Sequence, residues 1–188
     1  MSADDLERRI DALESRAAIQ NLAARYAFAV DDRDMDATAA CFTDDGGFSS
    51  REGKLGARGR RAVIDQFHER WGVMGPANHI VHQHLIDIDP DDPDHATGTI
   101  SSHAEVFRNG EVWLTAFRYE DEYRRGEDGE WRFADRMLSV LYYLRPKDYV
   151  DKFDVVERNL TYERPIAASI PEALPSYQAY YEQHPRRP

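Results

Sequence analysis

The chain has little positive charge. Twenty-four Lys and Arg face 35 Asp and Glu across 188 residues, a formal net charge of −11. Nucleic acid and anionic membrane both select basic patches, so neither is expected as a partner. Arg58, Arg60 and Arg61 form a small basic cluster, but Asp65 and Glu69 follow it, and it reads as the exposed start of a helix. Cysteine is nearly absent. Cys41 stands alone between Ala40 and Phe42, cannot form an internal disulfide, and reads as a buried structural thiol rather than a nucleophile. No apolar run approaches the ~20 residues of a membrane span. Residues Met1 to Arg9 are charged and lack the apolar core of a secretory signal, so a cytoplasmic location is expected.

What remains is enough for a folded domain. Hydrophobic residues are 41% and charged residues 31%, a balance that excludes a disordered chain. From Asp4 to about Val30 the apolar residues keep helical spacing: Leu6, Ile10 and Leu13, then Ile19, Leu22, Ala23, Tyr26 and Val30. Asp31-Asp32-Arg33-Asp34 ends that pattern, and Asp34 is placed to cap a short helix over Met35–Ala40. Phe42 to Ser50 reads as a strand interrupted by Asp44-Asp45-Gly46-Gly47. Gly59 opens a third helix with Val63, Ile64, Phe67 and Trp71 on its apolar face, stopped by Gly72 and Gly75-Pro76.

Four strands follow: His79–Asp89, Ala96–Phe107, Glu111–Arg124 and Trp131–Leu144. Asn109-Gly110 is a hairpin turn signal, and Gly126–Gly129 marks a second turn. Three helices and then an antiparallel meander predict an α+β domain over residues 1–144. Residues 145–188 differ, with six prolines, five tyrosines and no clear period. They are expected to wrap the surface or a neighbouring subunit.

One pairing carries chemistry. Asp31 ends an apolar helical run, and His79 enters the sheet early. A carboxylate and an imidazole brought together in an apolar cavity make a general base poised near neutral pH. The carboxylate fixes the tautomer and stabilises the imidazolium formed on proton transfer. Tyr26 lies on the apolar stripe of the same helix and could hydrogen-bond a substrate oxygen. Three histidines fall within six residues here, but alternation puts His79 on one face and His82 and His84 on the other. With no cysteine nearby, no metal is expected. Arg118 and Arg136 are mid-strand arginines, facing either solvent or a pocket partner. Phe117, Tyr119, Trp113, Met137, Leu141 and Tyr143 alternate on their strands as an apolar lining would.

The order helix, helix, short strand, helix, long meander resembles the nuclear transport factor 2-like cone, the SnoaL-like superfamily. Ser15-Arg16-Ala17-Ala18-Ile19-Gln20-Asn21-Leu22 resembles the opening of the hexachlorocyclohexane dehydrochlorinases. Tyr26-x4-Asp31 resembles the Tyr/Asp pair of bile acid 7α-dehydratases, and scytalone dehydratases have a related pair. Phe42-Thr43-Asp44-Asp45-Gly46 and Gly129-Glu130-Trp131-Arg132-Phe133 are common superfamily signatures. The resemblance covers residues 4–144. It implies a cone-shaped curved antiparallel sheet with three helices on its concave face. It also implies a cofactor-independent lyase, a dehydratase or dehydrohalogenase acting on a bulky hydrophobic, possibly polycyclic, substrate. Asp31 then orients His79 as the base, with Tyr26 beside them. His103 becomes a second pocket histidine, and Arg118, Phe117 and Tyr143 become substrate contacts. A homo-oligomer is implied, trimer ahead of dimer. Other members leave open a ketosteroid-isomerase-like double-bond isomerase, a ligand-binding module without catalysis, and an accessory subunit like the β chains of ring-hydroxylating dioxygenases.

Overall fold

A computed structural model describes residues 2–185. Helix α1 spans Ala3–Asp32. Ser2 caps it by accepting from the Asp5 amide at 3.1 Å, and Asp4 and Asp5 sit favourably against the positive end of its dipole. It ends where Arg33 turns left-handed at φ 61°, and the Arg33 side chain folds back to donate to the Val30 carbonyl at 2.7 Å. Asp34 then caps α2, Met35–Ala40, by accepting from the Ala37 amide at 2.8 Å. The buried stripe of α1 is Ile19, Leu22, Ala23, Tyr26, Ala27 and Val30, while Leu6, Ile10 and Leu13 project from its first half into solvent. Each fully buried Ile or Leu contributes about 1.5–3 kcal/mol.

Strand β1, Phe42–Ser50, carries the irregularity expected at its Asp/Gly segment, a register shift between Phe42 and Gly47. A short β2, Gly56–Arg58, and helix α3, Arg60–Trp71, follow it. The long strands are β3, Met74–Ile88, β4, His95–Arg108, β5, Glu111–Arg125, and β6, Trp131–Leu144. Together they form one curved six-stranded sheet in the order β2-β1-β6-β5-β4-β3, with only the β1–β6 pair parallel. The β4–β5 turn has Asn109 at φ 53° and Gly110 at φ 82°, the two positive angles such a hairpin requires. β3 starts five residues earlier than the spacing suggested. Gly75-Pro76 is its first turn of chain rather than the helix stop, tolerated because β3 is an edge strand.

Bulges decide which side chains face α1 and α3. In β3, Val81 pairs with Ser102 and His84 with Ile100, so β3 spends one residue more than β4 at His82–Gln83. In β6, Val140 pairs with Phe117 and Tyr142 with Ala116, leaving Leu141 as the extra residue. Each bulge reverses the parity of everything beyond it.

Residues 145–185 return over the chain's own sheet. β1 stops opposite Leu138, and the tail takes up the edge of β6 beyond that point. Tyr143 donates to the Arg158 carbonyl at 2.9 Å, Leu160 donates to the Tyr143 carbonyl at 3.0 Å, and Ser169 donates to the Val140 carbonyl at 2.9 Å. Arg158 is 4% exposed and ties the segment down through the Leu141 and Ile170 carbonyls and a bidentate pair with Glu172. Two short helices, α4 at Tyr149–Lys152 and α5 at Pro175–Gln183, lie within it. Tyr149 and Leu160 cover a small outer core of Ala116, Tyr142 and Leu144.

Candidate active site

The site is a cavity between α1, α3 and the concave face of the sheet, about 560 Å³ of empty space including its open mouth. Tyr26 and Val30 of α1, Phe67 and Trp71 of α3, and Val106, Phe117, Leu138 and Val140 of the sheet give it apolar walls. His79 is part of the wall.

Asp31 and His79 meet there. The last turn of α1 delivers the carboxylate against the start of β3. His79 Nδ1 lies 2.6 Å from Asp31 Oδ1, and the His79 amide donates to Asp31 Oδ2 at 2.7 Å. Both carboxylate oxygens are thus engaged by one residue, which fixes the ring as well as its backbone. Both side chains are only 15% exposed. Burial raises the Asp31 carboxyl, but the two bonds from His79 outweigh it, and with Arg33 nearby the net displacement is downward. Asp31 is therefore a carboxylate near neutral pH. Its engagement of Nδ1 assigns the proton there and leaves Nε2 as the basic nitrogen, with no hydrogen-bond partner among the described residues. Phe117 packs edge-on to the ring, with centroids 6.1 Å apart.

Tyr26 is 4% exposed and lines the same cavity. Burial, and then its neighbour Tyr119, push its hydroxyl well above the ordinary phenol range, so it is a neutral hydrogen-bond donor. Tyr119 also lines the cavity, its ring edge-on to that of Tyr26 with centroids 6.2 Å apart. Behind the pair lies Arg136, 1% exposed, with its guanidinium carbon 3.6 Å from the Tyr119 ring centre, 4.1 Å from that of Phe133 and 4.3 Å from that of Tyr26. Its Nε is 3.2 Å from Asp121 Oδ1, close enough for an ion pair but not aligned as a hydrogen bond. Asp121 accepts from the Tyr123 hydroxyl at 2.8 Å, and that hydroxyl lies 3.0 Å from His84 Nε2. Burial pushes the Asp121 carboxyl up to about 6 against the pull of Arg136, and burial drives the His84 imidazole down to about 4.

Two expected pocket residues lie elsewhere. His103 is exposed on the outer face, its Nδ1 2.8 Å from His82 Nε2, because Ser102, Ala104 and Val106 take the inward positions of β4. Arg118 is exposed because Phe117 and Tyr119, its strand neighbours, both point inward. The grouping of His82 with His84 also fails. The bulge between them leaves His82 outside and turns His84 inward, where it meets Tyr123. Among the predicted lining residues, Phe117, Tyr119 and Tyr143 line the cavity, Trp113 packs against Tyr143, and Leu141 joins the outer core. Met137 borders a shallow depression on the outer face. Cys41 is buried, its thiol pushed up to about 11 by burial, which suits packing and not nucleophilic attack.

Arg70 was not anticipated. It lies on the cavity wall, three residues after Phe67 and seven after Val63. A cation on the apolar stripe of α3 was the signal available in the sequence.

Comparisons with known proteins agree with this architecture. The structure resembles hexachlorocyclohexane dehydrochlorinase LinA-type3 from Novosphingobium barchaimii at 24% identity, TM-score 0.65, covering 73% of this chain and 93% of that one. A protein from Novosphingobium aromaticivorans, provisionally named a scytalone dehydratase, matches at 19% identity and TM-score 0.69, covering 86% and 97%. A variant of Rv3472 from Mycobacterium tuberculosis, of unknown function, matches at 26% identity and TM-score 0.62, covering 79% and 80%. No curated protein matches the chain significantly. Residues 11–137 match the SnoaL-like domain, well over half of the sequence, and the chain belongs to that family.

Proposed function

We propose that this protein is a cofactor-independent lyase. It removes a proton from carbon with His79 while a leaving group departs from the neighbouring carbon of a bulky hydrophobic substrate. The observation that carries this reading is the Asp31–His79 contact in the wall of an apolar cavity. In the reaction Nε2 takes the proton, and the C–H electron pair becomes the new double bond. A leaving hydroxyl departs with its bonding pair, is held by the Tyr26 hydroxyl, and accepts the proton back from the imidazolium as water. Asp31 stays ionised and stabilises the imidazolium in between. The neighbouring dehydrochlorinase and the provisionally named dehydratase support this class of reaction.

A second reading uses the same base. Two buried phenol donors, Tyr26 and Tyr119, in one pocket would also hold a dienolate oxygen. Such a site would move a double bond without losing any group. The test is a panel of polycyclic alcohols and β,γ-unsaturated ketones, followed by mass spectrometry and ultraviolet absorbance. Loss of 18 mass units that disappears in His79→Ala supports the lyase. An absorbance shift at constant mass supports the isomerase. Turnover unchanged in His79→Ala would remove the dyad from both.

A further inference from the structure

The cavity beside His79 shares a wall with a second chamber of different chemistry. Arg70, Met74, Leu138, Val140 and Tyr143 border both. The outer chamber encloses about 600 Å³ including its mouth, and its remaining wall contains Glu52, Lys54, Arg108, Asn159 and Tyr162. Three cations thus face one carboxylate, in a protein whose net charge is −11. Glu52 accepts from the Ser169 hydroxyl, and Lys54 lies over the Tyr162 ring at 5.7 Å. The two arginines are left over. The Arg70 side chain makes no hydrogen bond or ion pair among the described residues, although it is half-buried. The buried Nε of Arg108 has no hydrogen-bond partner among the described residues. A buried guanidinium nitrogen without an acceptor is costly, and the side chain that carries it borders the chamber.

We propose that the substrate is a hydrophobic acid whose carboxylate is held between Arg70 and Arg108 while its apolar body reaches inward to His79. This rests on the proposed reaction site and adds a substrate class to it. Guanidinium groups match a carboxylate in charge and fork geometry, and partial burial strengthens the pairing. Part of the chamber's outer wall lies outside the family segment. Asn159 and Tyr162 come from the returning tail, beyond the 11–137 segment that matches the family. The tail holds Asn159 in place through its own paired bonds to Ile166 and through the bonds of its neighbours Arg158 and Leu160 to Tyr143. Its contribution is to close the anionic end of the substrate site.

The test is calorimetric titration of the full-length protein with 2-naphthylacetic acid and, separately, with its methyl ester. The acid should bind at least tenfold more tightly than the ester, and more weakly as salt is raised. Arg70→Gln and Arg108→Gln should each weaken the acid about tenfold and leave the ester unchanged. Equal affinity for acid and ester, equal loss of both in the variants, or failure of both to bind would overturn the proposal. Two arginine variants guard against a folding defect in one. His79→Ala separates this inference from the reaction it rests on, since it should keep acid binding. If the acid binds but no substrate is turned over, the lyase reading fails alone. If turnover depends on His79 but the acid has no advantage, the anion site fails alone.

Discussion

His79 is committed at one ring nitrogen and, among the described residues, free at the other, and that asymmetry is the basis of the chemistry proposed for it. Removing the ring should therefore cost rate rather than stability. His79→Ala is expected to lower kcat by about 10²–10⁴-fold, the usual contribution of a positioned base. The melting temperature should change by no more than a few degrees. Asp31→Asn keeps the shape but can no longer accept both bonds, so the ring is free to present the wrong tautomer. It should lower kcat on the order of 10²-fold or more with KM little changed. Equal loss in kcat and in folding stability for either variant would mean a structural role. His84 gives a pH prediction with a definite sign. Its imidazole protonates near 6.5 when unfolded and near 4 when folded, because burial disfavours the cation. The unfolded state therefore binds the proton first, and the folded protein loses stability as pH falls from 6.5 to 4. Asp121, pushed up to about 6, works in the opposite direction over part of that range. The difference between wild type and His84→Asn isolates the histidine. The variant should show a shallower decline in denaturant midpoint across that window, and equal slopes would sink the assignment.

Among the elements, what could be read from the sequence divides by physical cause. Periodic apolar spacing fixed α1 and α3, and the Asn109-Gly110 turn placed the β4–β5 hairpin, because local chemistry alone decides them. The Asp31–His79 pair was legible because Asp31 ends the apolar stripe of α1 and the Tyr26-x4-Asp31 spacing marked its place, while His79 falls before the bulge and keeps the parity expected of it. Side chains in mid-strand were harder. The bulges at His82–Gln83 and Leu141 have no local signature, yet each reverses the facing of the residues after it. That is why His84 is inside when alternation put it opposite His79. Arg118 is a different lesson. Alternation forbids it from sharing a face with Phe117, so strand geometry alone excluded it from the pocket. The tail was opaque because its order rests on scattered backbone bonds to β6 and a buried arginine rather than on a period. Arg158 bonds three carbonyls, of Leu141, Val155 and Ile170, together with Glu172, and it is nearly fully buried. Removing the arginine leaves the carbonyls it satisfies without their donor and takes away a nearly buried side chain, a cost of about 3 kcal/mol. Arg158→Ala should lower unfolding stability by that amount in chemical denaturation and expose residues 145–185 to protease. A loss under about 0.5 kcal/mol would show that the tail is held by something else.

For the molecule as a whole, the open question is what covers the outer face of the sheet. Ile80, Leu85, Phe107 and Val112 alternate with the inward residues of β3, β4 and β5, and they remain 43%, 70%, 42% and 49% exposed. Single exposed apolar side chains are ordinary, but several on one face of one sheet make a surface suited to burial against a second copy of the chain, and we propose that it is so used. The tail covers only the part of this face around Ala116 and Tyr142. Net charge works against association, since two copies at −11 repel, so contact must rely on apolar burial and should tolerate or improve with salt. We expect a homo-oligomer, trimer ahead of dimer. Light scattering should give a mass that is a multiple of 21.7 kDa. Leu85→Glu is the discriminating variant, because Leu85 is 70% exposed and contributes little to the folded protomer. It should shift the mass toward the monomer while leaving circular dichroism and acid binding intact. A wild-type protein that stays at 21.7 kDa at tens of micromolar would leave this face as plain surface. An oligomer that Leu85→Glu does not weaken would move the interface away from the outer sheet, to the first half of α1, where Leu6, Ile10 and Leu13 stand exposed.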